Sequence, residues 1–200
     1  MHPESVAERA KAYIEMVLLH TTNQPPVQRC ESNCLVPKWT PPLDGWLMVN
    51  VDASIFKNPP RAGVGIVIRD HVGDFKMAFC KVIHTVDDPE LAEALAVRCG
   101  VLFAKEHNLQ QVIVVSDCQN IIKKINSPLQ DRSHVSHVEA IVRDVKNLVC
   151  DATVSFSFSR RGCNEAAHVM ARIADQFSEQ VWCNDAPDAI RAIFCNDKLN

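Results

Sequence analysis

Three features are missing from this 200-residue sequence, and each absence excludes a class of protein. There is no excess of positive charge, because 24 acidic residues outweigh 21 basic ones and the formal net charge is -3 at pH 7. A nucleic-acid partner would therefore be held by a local patch or through metal ions, not by a global basic field. No apolar run approaches the roughly 20 residues of a membrane span, which argues against a membrane partner. Charged residues also interrupt any signal-peptide-like apolar stretch at the start of the chain: Glu4, Glu8, Arg9, Lys11 and Glu15.

The cysteine usage does not favour a disulfide framework. The nine cysteines are an odd number, and Cys80, Cys99 and Cys150 lie in apolar segments. This usage favours reduced thiols packed as small hydrophobic side chains, in a protein of the nucleus or the cytoplasm. Cys30 and Cys34 have the spacing of a metal-binding pair. No second pair or Cys/His knuckle accompanies them, so the sequence does not favour a zinc site there.

The chain divides into four parts by composition. Residues 1–19 carry a capping box and apolar residues at helical spacing, which predicts a short amphipathic helix. Residues 20–38 are polar and contain proline, as is typical of a linker. Residues 39–178 form the predicted packed domain, and residues 179–200 are a tail without a clear pattern.

The packed domain begins with strands and continues with alternating helices and strands. Hydrophobic periodicity and turn residues predict strands over residues 46–56, 62–70, 74–84, 111–116 and 153–159. Helices are predicted from about residue 89 to 107, 134 to 149 and 164 to 177, and a short helix is predicted between the fourth strand and about residue 126. A three-stranded antiparallel meander followed by alternating units predicts an α/β fold with a mixed sheet and helices on both faces.

Three acidic residues occupy distinctive places in this pattern. Asp52 lies inside the first strand, on the same face as Trp46, Met48 and Asn50. A half-buried carboxylate is costly unless a nearby cation neutralises it or a metal ion binds to it.

The other two acids are Glu93, one turn into the first helix of the packed domain, and Asp117, which directly follows an apolar strand. Ligands bind at the carboxyl ends of strands in open α/β sheets. If the strand before Asp117 runs parallel to the first strand, Asp117 and Asp52 become neighbours, and the helix can bring Glu93 between them.

Three converging carboxylates repel each other strongly unless cations are present. Mg²⁺ prefers oxygen ligands, and two such ions about 3.5–4 Å apart can activate water and stabilise the leaving oxygen in phosphodiester hydrolysis. Taken singly, Glu93 also fits a solvated helix residue and Asp117 fits a helix cap. Their joint placement favours a metal site.

Four ordered motifs carry a resemblance to a known family: "NVDAS…AGVGIVIRD", "AEALAV", "VVSDC" and "RRGCNEAAHVMARIA". In order and spacing they resemble the ribonuclease H family, most closely the plant branch related to the RNase H portion of non-LTR retroelement reverse transcriptases. The resemblance implies an RNase H-like fold with a five-stranded mixed sheet flanked by helices. It also implies an endonuclease that hydrolyses the RNA strand of RNA–DNA hybrids, with two Mg²⁺ or Mn²⁺ ions held by Asp52, Glu93 and Asp117.

One position departs from the family pattern. The fourth acidic position of the family corresponds to His168, which we assign to the catalytic site. An imidazole suits Mn²⁺ better than Mg²⁺, but His168 could instead orient water or pack on its helix. The histidine-bearing loop of many family members is also missing. The alternative is therefore a catalytically weak or inactive RNase H-like domain that binds nucleic acid or is purely structural.

Four polar residues flank the predicted site. The resemblance places Ser54 and Asn120 where they could contact phosphate or sugar, and Arg160 and Arg161 where they suit phosphate contacts. Gly63 and Gly65 lie on the second strand, where glycines would let the backbone approach a nucleic-acid strand closely. We expect a monomer whose partner is an RNA–DNA hybrid or another nucleic acid.

Overall fold

The computed structural model describes residues 38–128, 136–149 and 154–198. The predicted N-terminal helix, the linker up to residue 37 and the Cys30/Cys34 pair lie outside these residues. Six strands are present in the described part: β1 Leu47–Phe56, β2 Arg61–Arg69, β3 Phe75–His84, β4 Val112–Ser116, β5 Val154–Phe158 and β6 Glu179–Trp182. Five α-helices accompany them: α1 Pro89–Glu106, α2 Gln119–Asn126, α3 His137–Leu148, α4 Glu165–Ile173 and α5 Asp188–Lys198. None of these helices combines the length and the apolar content that crossing a membrane requires.

The strands form one mixed sheet in the order β5-β4-β1-β2-β3-β6. Strands β1, β2 and β3 are an antiparallel meander, while β4 and β5 run parallel to β1. The mixed α/β architecture is therefore as predicted, but the sheet has six strands instead of five. The additional strand is β6, which pairs antiparallel with β3 and lies in the segment that the sequence left as a tail. Four residues are too few to show a period-two pattern, so this strand was missed.

The two faces of the sheet are covered by different helices. Because side chains alternate along a strand, Val49 and Val51 of β1 point to one face, where they join the core formed with α1, α2 and α3. On the other face, Val67 and Ala78 pack beneath α4 and α5 in a second cluster. Asp52 directly follows Val51, so its side chain points to the opposite face, the second one.

The helix starts follow the local sequence signals. Asp88 caps α1 and accepts a hydrogen bond from the backbone N–H of Glu90, with Pro89 in the first turn. Ser136 and Glu139 form a reciprocal capping box at the start of α3. These caps fix where α1 and α3 begin, and the observed bounds agree with the predicted ones to within a few residues.

The two glycines of β2 lie against helix α4 and not, as predicted, at a surface for nucleic acid. A Cβ atom added at Gly65 would lie 2.2 Å from the backbone nitrogen of Ala171 and 2.3 Å from the carbonyl oxygen of Ala167. Gly63 is equally close to the backbone of α4. These glycines therefore admit helix α4 onto the sheet, and the expectation that they face a nucleic-acid strand was wrong.

A buried arginine ties the beginning of the described chain to its end. Arg69 is 1% exposed, and its guanidinium lies between the rings of Trp39 (3.8 Å) and Phe194 (4.5 Å). Its Nη1 donates to Asp197 at 2.5 Å. Burial lowers the pKa of Arg69, while the bond to Asp197 raises it. Helix α5 is thus an integral part of the packed core.

Candidate active site

Two neighbouring parallel strands place the two aspartates side by side. Val51 of β1 is paired with Ser116, the last residue of β4. The residues that follow them, Asp52 and Asp117, therefore lie side by side. Helix α1 then brings Glu93, which lies in its second turn, toward the same place. Gly100 allows this helix to lie close to β1, because a Cβ there would be 2.6 Å from the Val51 side chain.

The three carboxylates converge as the sequence led us to expect. One oxygen atom from each of Asp52, Glu93 and Asp117 lies within 4.8 Å of the corresponding oxygens of the other two. Asp52 is 2% exposed, and the other two are partly buried. Oε2 of Glu93 is buried and has no hydrogen-bond partner among the described residues. A buried polar atom without a partner is costly, so this oxygen is available for a ligand from outside the chain.

The electrostatics of the cluster disfavour its charged form. Burial, followed by the nearby Asp117 charge, raises the pKa of Asp52 to about 6, although the contact with His168 opposes the rise. Burial and then the charges of Asp52 and Asp117 raise the pKa of Glu93 to about 9. Arg161 and the backbone N–H of Ala53 lower the pKa of Glu93 to a smaller extent. The acids therefore gain stability from any cation that binds among them.

The donor set fits a hard divalent cation. All three side chains offer oxygen ligands, which Mg²⁺ and Mn²⁺ accept, and one of them, Glu93, has a buried oxygen without a hydrogen-bond partner among the described residues. Burial of mutually repelling carboxylates is difficult to explain by packing alone, because uncompensated charges in the interior cost several kcal/mol.

His168 lies in the site and touches the cluster directly. Its Nδ1 is 2.7 Å from Oδ2 of Asp52, and its side chain is 19% exposed. It belongs to the first turn of α4, the helix that Gly65 admits onto the sheet. Nη2 of Arg161 lies 3.1 Å from Nε2 of the same imidazole. His168 therefore contacts an acid of the cluster, and its assignment to the catalytic site stays a prediction.

A chain of amide hydrogen bonds fixes the start of α4 on β1. Asn164, which is 1% exposed, donates from Nδ2 to the carbonyl oxygen of Val51 at 2.9 Å and accepts from Nδ2 of Asn50 at 3.0 Å. Oδ1 of Asn50 in turn accepts from the indole N–H of Trp39 at 3.0 Å. These bonds position the backbone on both sides of the Asp52–His168 contact.

Sequence reasoning missed this network. The available signal was Asn50, which shares the inward face of β1 with Asp52 and, as a buried amide, needs partners. Which residues pair with the Asn50 amide depends on how α4 lies on the sheet, and a single sequence does not give that.

The four predicted nucleic-acid contacts are distributed around the acids. Ser54 lies two residues beyond Asp52 on the same face of β1, and Asn120 is exposed at the start of α2. Arg160 and Arg161 are exposed at the turn that leads into α4. Arg161 also contacts the His168 ring. All four residues remain predictions as nucleic-acid contacts.

The sheet order, the helices on both faces and the position of the acid cluster define an RNase H-like domain. The family described as reverse transcriptase-like matches residues 50–174, more than half of the chain, and the protein belongs to this family. The match includes all three acids and His168. No curated protein matches the sequence.

Solved structures share the fold at low sequence identity. RNase H1 from the halophilic archaeon Halobacterium salinarum is 19% identical with a TM-score of 0.55, covering 66% of this chain and 98% of that one. The N-terminal RNase H domain of a Mycobacterium tuberculosis protein is 16% identical with a TM-score of 0.56, covering 66% and 95%. LC11-RNase H1 in complex with an RNA/DNA hybrid is 17% identical with a TM-score of 0.55, covering 65% and 97%. At these identities the likeness concerns the fold.

Proposed function

We propose that this protein is a metal-dependent endonuclease that hydrolyses the RNA strand of RNA–DNA hybrids. The observation that carries the proposal is the convergence of Asp52, Glu93 and Asp117, with oxygens within 4.8 Å of one another. An unpartnered, buried Glu93 oxygen within such a cluster fits a site that is completed by a cation. The family match and the RNase H-like fold support the same reaction class.

The residues of the chain have separate tasks in this mechanism. Asp52, Glu93 and Asp117 would hold the divalent ions, Mg²⁺ or Mn²⁺, with two ions present when substrate is bound. When bound, such ions supply an activated water and stabilise the leaving oxygen of the phosphodiester. His168 holds the Asp52 carboxylate through the 2.7 Å contact. The buried surroundings of Asp52 limit its contact with bulk water.

Recognition of the hybrid depends on residues around the acids. A protein distinguishes RNA from DNA through the 2′-hydroxyl, and Ser54 and Asn120 have side chains that can donate to or accept from it. Arg160 is exposed and suits a phosphate contact beside the site. A nucleic-acid partner is consistent with the complex of LC11-RNase H1, a protein of the same fold, with an RNA/DNA hybrid.

A second candidate function is supported by one observation. His168 occupies the position next to Asp52, and its contact satisfies that carboxylate from within the chain. An RNase H-like domain with this internal contact could bind nucleic acid with little or no turnover. The two candidates make different predictions for a cleavage assay.

The decisive experiment is hybrid cleavage by the full chain, with Mg²⁺ and Mn²⁺ tested in parallel. We expect cleavage of the RNA strand of a hybrid, and a loss of at least about 100-fold in Asp52→Asn, because this change removes a ligand of the ions. The replacement is nearly isosteric and removes charge repulsion, so the variant should be folded and at least as stable. Equal cleavage by Asp52→Asn would show that the activity has another source. Hybrid binding without cleavage by the unmodified chain would favour the second candidate.

A further inference from the structure

Asn164 connects the two sides of the Asp52–His168 contact. Its side chain donates from Nδ2 to the carbonyl oxygen of Val51, which belongs to the same peptide group as the backbone nitrogen of Asp52. Its own carbonyl oxygen accepts from the backbone N–H of His168 at 3.1 Å and so closes the first turn of α4. The orientation of this one side chain therefore sets how β1 and α4 present Asp52 and His168 to each other.

The two buried amides beside this contact have only one orientation that pairs donors with acceptors. The indole of Trp39 only donates, so the atom of Asn50 that meets it must be the oxygen Oδ1. Nδ2 of Asn50 then donates to Oδ1 of Asn164, which leaves Nδ2 of Asn164 for the carbonyl oxygen of Val51. Turning over one amide or both would place two acceptor atoms against each other, which is costly in a buried site.

The ring of Trp39 is itself held in place. It is 7% exposed, and the guanidinium carbon of Arg69 lies 3.8 Å from its centroid. Arg69 in turn donates to Asp197 of helix α5. A cation over the face of an indole is a favourable contact, so the ring is fixed on its face as well as at its N–H edge. Trp39 is therefore a donor of fixed direction at the start of the chain of amides.

We propose that Trp39 is a positioning residue of the acid cluster, acting through Asn50 and Asn164 on the backbone of Asp52. It acts from outside the family match, which begins at residue 50. Asp52 supplies one oxygen of the cluster, so a shift of its backbone changes how well the three acids bind an ion. Removing an outer residue that orients a metal ligand typically costs about 10–100-fold in metal affinity. The inference rests on the proposed function, because the acids concerned are those proposed to hold the divalent ions.

The indole N–H of Trp39 is the first measurement. The chain has three tryptophans, so proton–nitrogen spectra contain three indole signals, and that of Trp39 is lost in Trp39→Phe. We expect this signal to exchange slowly with solvent, because the N–H is buried and hydrogen-bonded. Asn50→Leu removes the acceptor at nearly constant size, so the signal should move upfield. Fast exchange in the unmodified chain, or an unmoved signal in Asn50→Leu, would overturn the proposal.

Mn²⁺ binding by the full chain, without nucleic acid, is the second measurement. Trp39→Phe keeps an aromatic ring beside Arg69 but removes the donor to Asn50, and we expect about 10-fold weaker Mn²⁺ binding. Trp46→Phe is the matched control, because Trp46 is 3% exposed and packs in the same cluster as Trp39 but is not a member of the amide chain. It should leave Mn²⁺ affinity unchanged. An equal loss in both variants would show that packing alone is responsible and would overturn the proposal.

The double variant Trp39→Phe with Asn50→Leu tests the route from Trp39 to the acids. Asn50→Leu already interrupts the chain between Trp39 and Asn164, so adding Trp39→Phe should weaken Mn²⁺ binding no further. Additive losses would overturn the route through Asn50. Each variant is first shown to be folded by its melting curve. If Trp39→Phe is unfolded, the Trp39 signal is assigned by elimination with Trp46→Phe and Trp182→Phe, and its response to Asn50→Leu decides.

Hybrid cleavage separates this inference from the proposed function. If Mn²⁺ affinity follows the expected pattern but no hybrid is cleaved, the role of Trp39 stands and the nuclease is removed. If Trp39→Phe binds Mn²⁺ as tightly as the unmodified chain and hybrid is cleaved, the inference is overturned and the nuclease stands. Absence of Mn²⁺ binding by the unmodified chain would overturn both.

Discussion

At the scale of single residues, the three acids could be found from the sequence because each position is set by a simple rule. Asp52 interrupts an alternating strand, Asp117 directly follows an apolar strand, and the parallel pairing of β1 with β4 brings them together. The partner of His168 could not be found in the same way. Its contacts with Asp52 and Arg161 depend on how deeply α4 sits on the sheet and on side-chain rotamers, and neither is encoded in a local pattern.

Glu93 gives the clearest pH dependence. Its pKa rises from 4.5 to about 9 in the folded protein, first because of burial and then because of Asp52 and Asp117. Between these values the folded state binds more protons than the unfolded state, so the free energy of unfolding falls as the pH rises. The loss is complete above the folded pKa and absent below about pH 4.5. We expect a total loss on the order of a few kcal/mol in metal-free protein.

Glu93→Gln tests this pH dependence. The amide does not ionise, so urea unfolding at pH 5 and at pH 8.5, with a chelator present, should show a much smaller difference than in the unmodified chain. Glu90→Gln, a change in the first turn of the same helix, is the control and should keep the original difference. Saturating Mn²⁺ should also reduce the difference, because an ion that binds only the folded state stabilises it. A Glu93→Gln variant with the full pH dependence would contradict our account of the cluster.

At the scale of secondary structure, the long elements were predictable and the closeness of their packing was not. Helix α1 has an acidic N-cap and proline in its first turn, and β4 is a run of β-branched residues, so both appear in the sequence with nearly their observed bounds. Strand β6 was missed because its four residues form a strand only through pairing with β3. Gly63 and Gly65 were predicted to face a nucleic-acid strand, but they face helix α4. A glycine in a strand indicates a close neighbour without indicating which neighbour it is.

Gly65→Ala should separate α4 from the sheet. The added Cβ would lie 2.2 Å from a backbone atom of Ala171, and backbone cannot move aside as a flexible side chain can. Overpacking typically costs 1–3 kcal/mol, and we expect about 3 kcal/mol here by urea unfolding. The His168 contact should weaken as well, because Gly65 is the partner of Asp52 across β1 and β2.

Gly162→Ala is the control for this element. Gly162 is exposed in the turn before α4, and its backbone is not in the left-handed region. Alanine there should leave stability unchanged or raise it slightly, since it restricts the unfolded chain. If Gly65→Ala proved as stable as Gly162→Ala, the close approach of α4 to β2 would be refuted.

At the scale of the whole molecule, Trp39 is the first side chain of the described residues that packs into the core. Trp39 is buried, donates to Asn50 and covers the guanidinium of Arg69. A chain that begins at Lys38 should therefore keep a cooperative melting transition, which agrees with the sequence-based expectation that the preceding residues are dispensable for the core. A chain that begins at Thr40 lacks Trp39 and should lose about 3–5 kcal/mol of stability, as for a large buried aromatic side chain. Aggregation of the longer chain, or equal stability of the two, would contradict this boundary.

The other end of the fold extends past the family match, which stops at residue 174. Helix α5 contributes Ile190 and Phe194 to the cluster beneath α4, and Asp197 is the ion-pair partner of buried Arg69. A chain that ends at Ser178 would leave Arg69 without that carboxylate and the cluster exposed, so we expect it to lose its cooperative transition.

Asp197→Asn isolates the electrostatic part of this effect. Removing one partner of a buried ion pair typically costs 3–5 kcal/mol, and because Asp197 is partly exposed we expect about 3 kcal/mol by urea unfolding. Asp185→Asn, an exposed acid before α5, is the control and should be neutral. The double variant Arg69→Met with Asp197→Asn should recover part of the loss, because a buried ion pair can be replaced by apolar groups at little cost once no charge is left unpaired. If the double variant were less stable than Asp197→Asn alone, stacking of Arg69 between Trp39 and Phe194 would be the larger contribution to holding α5 on the sheet.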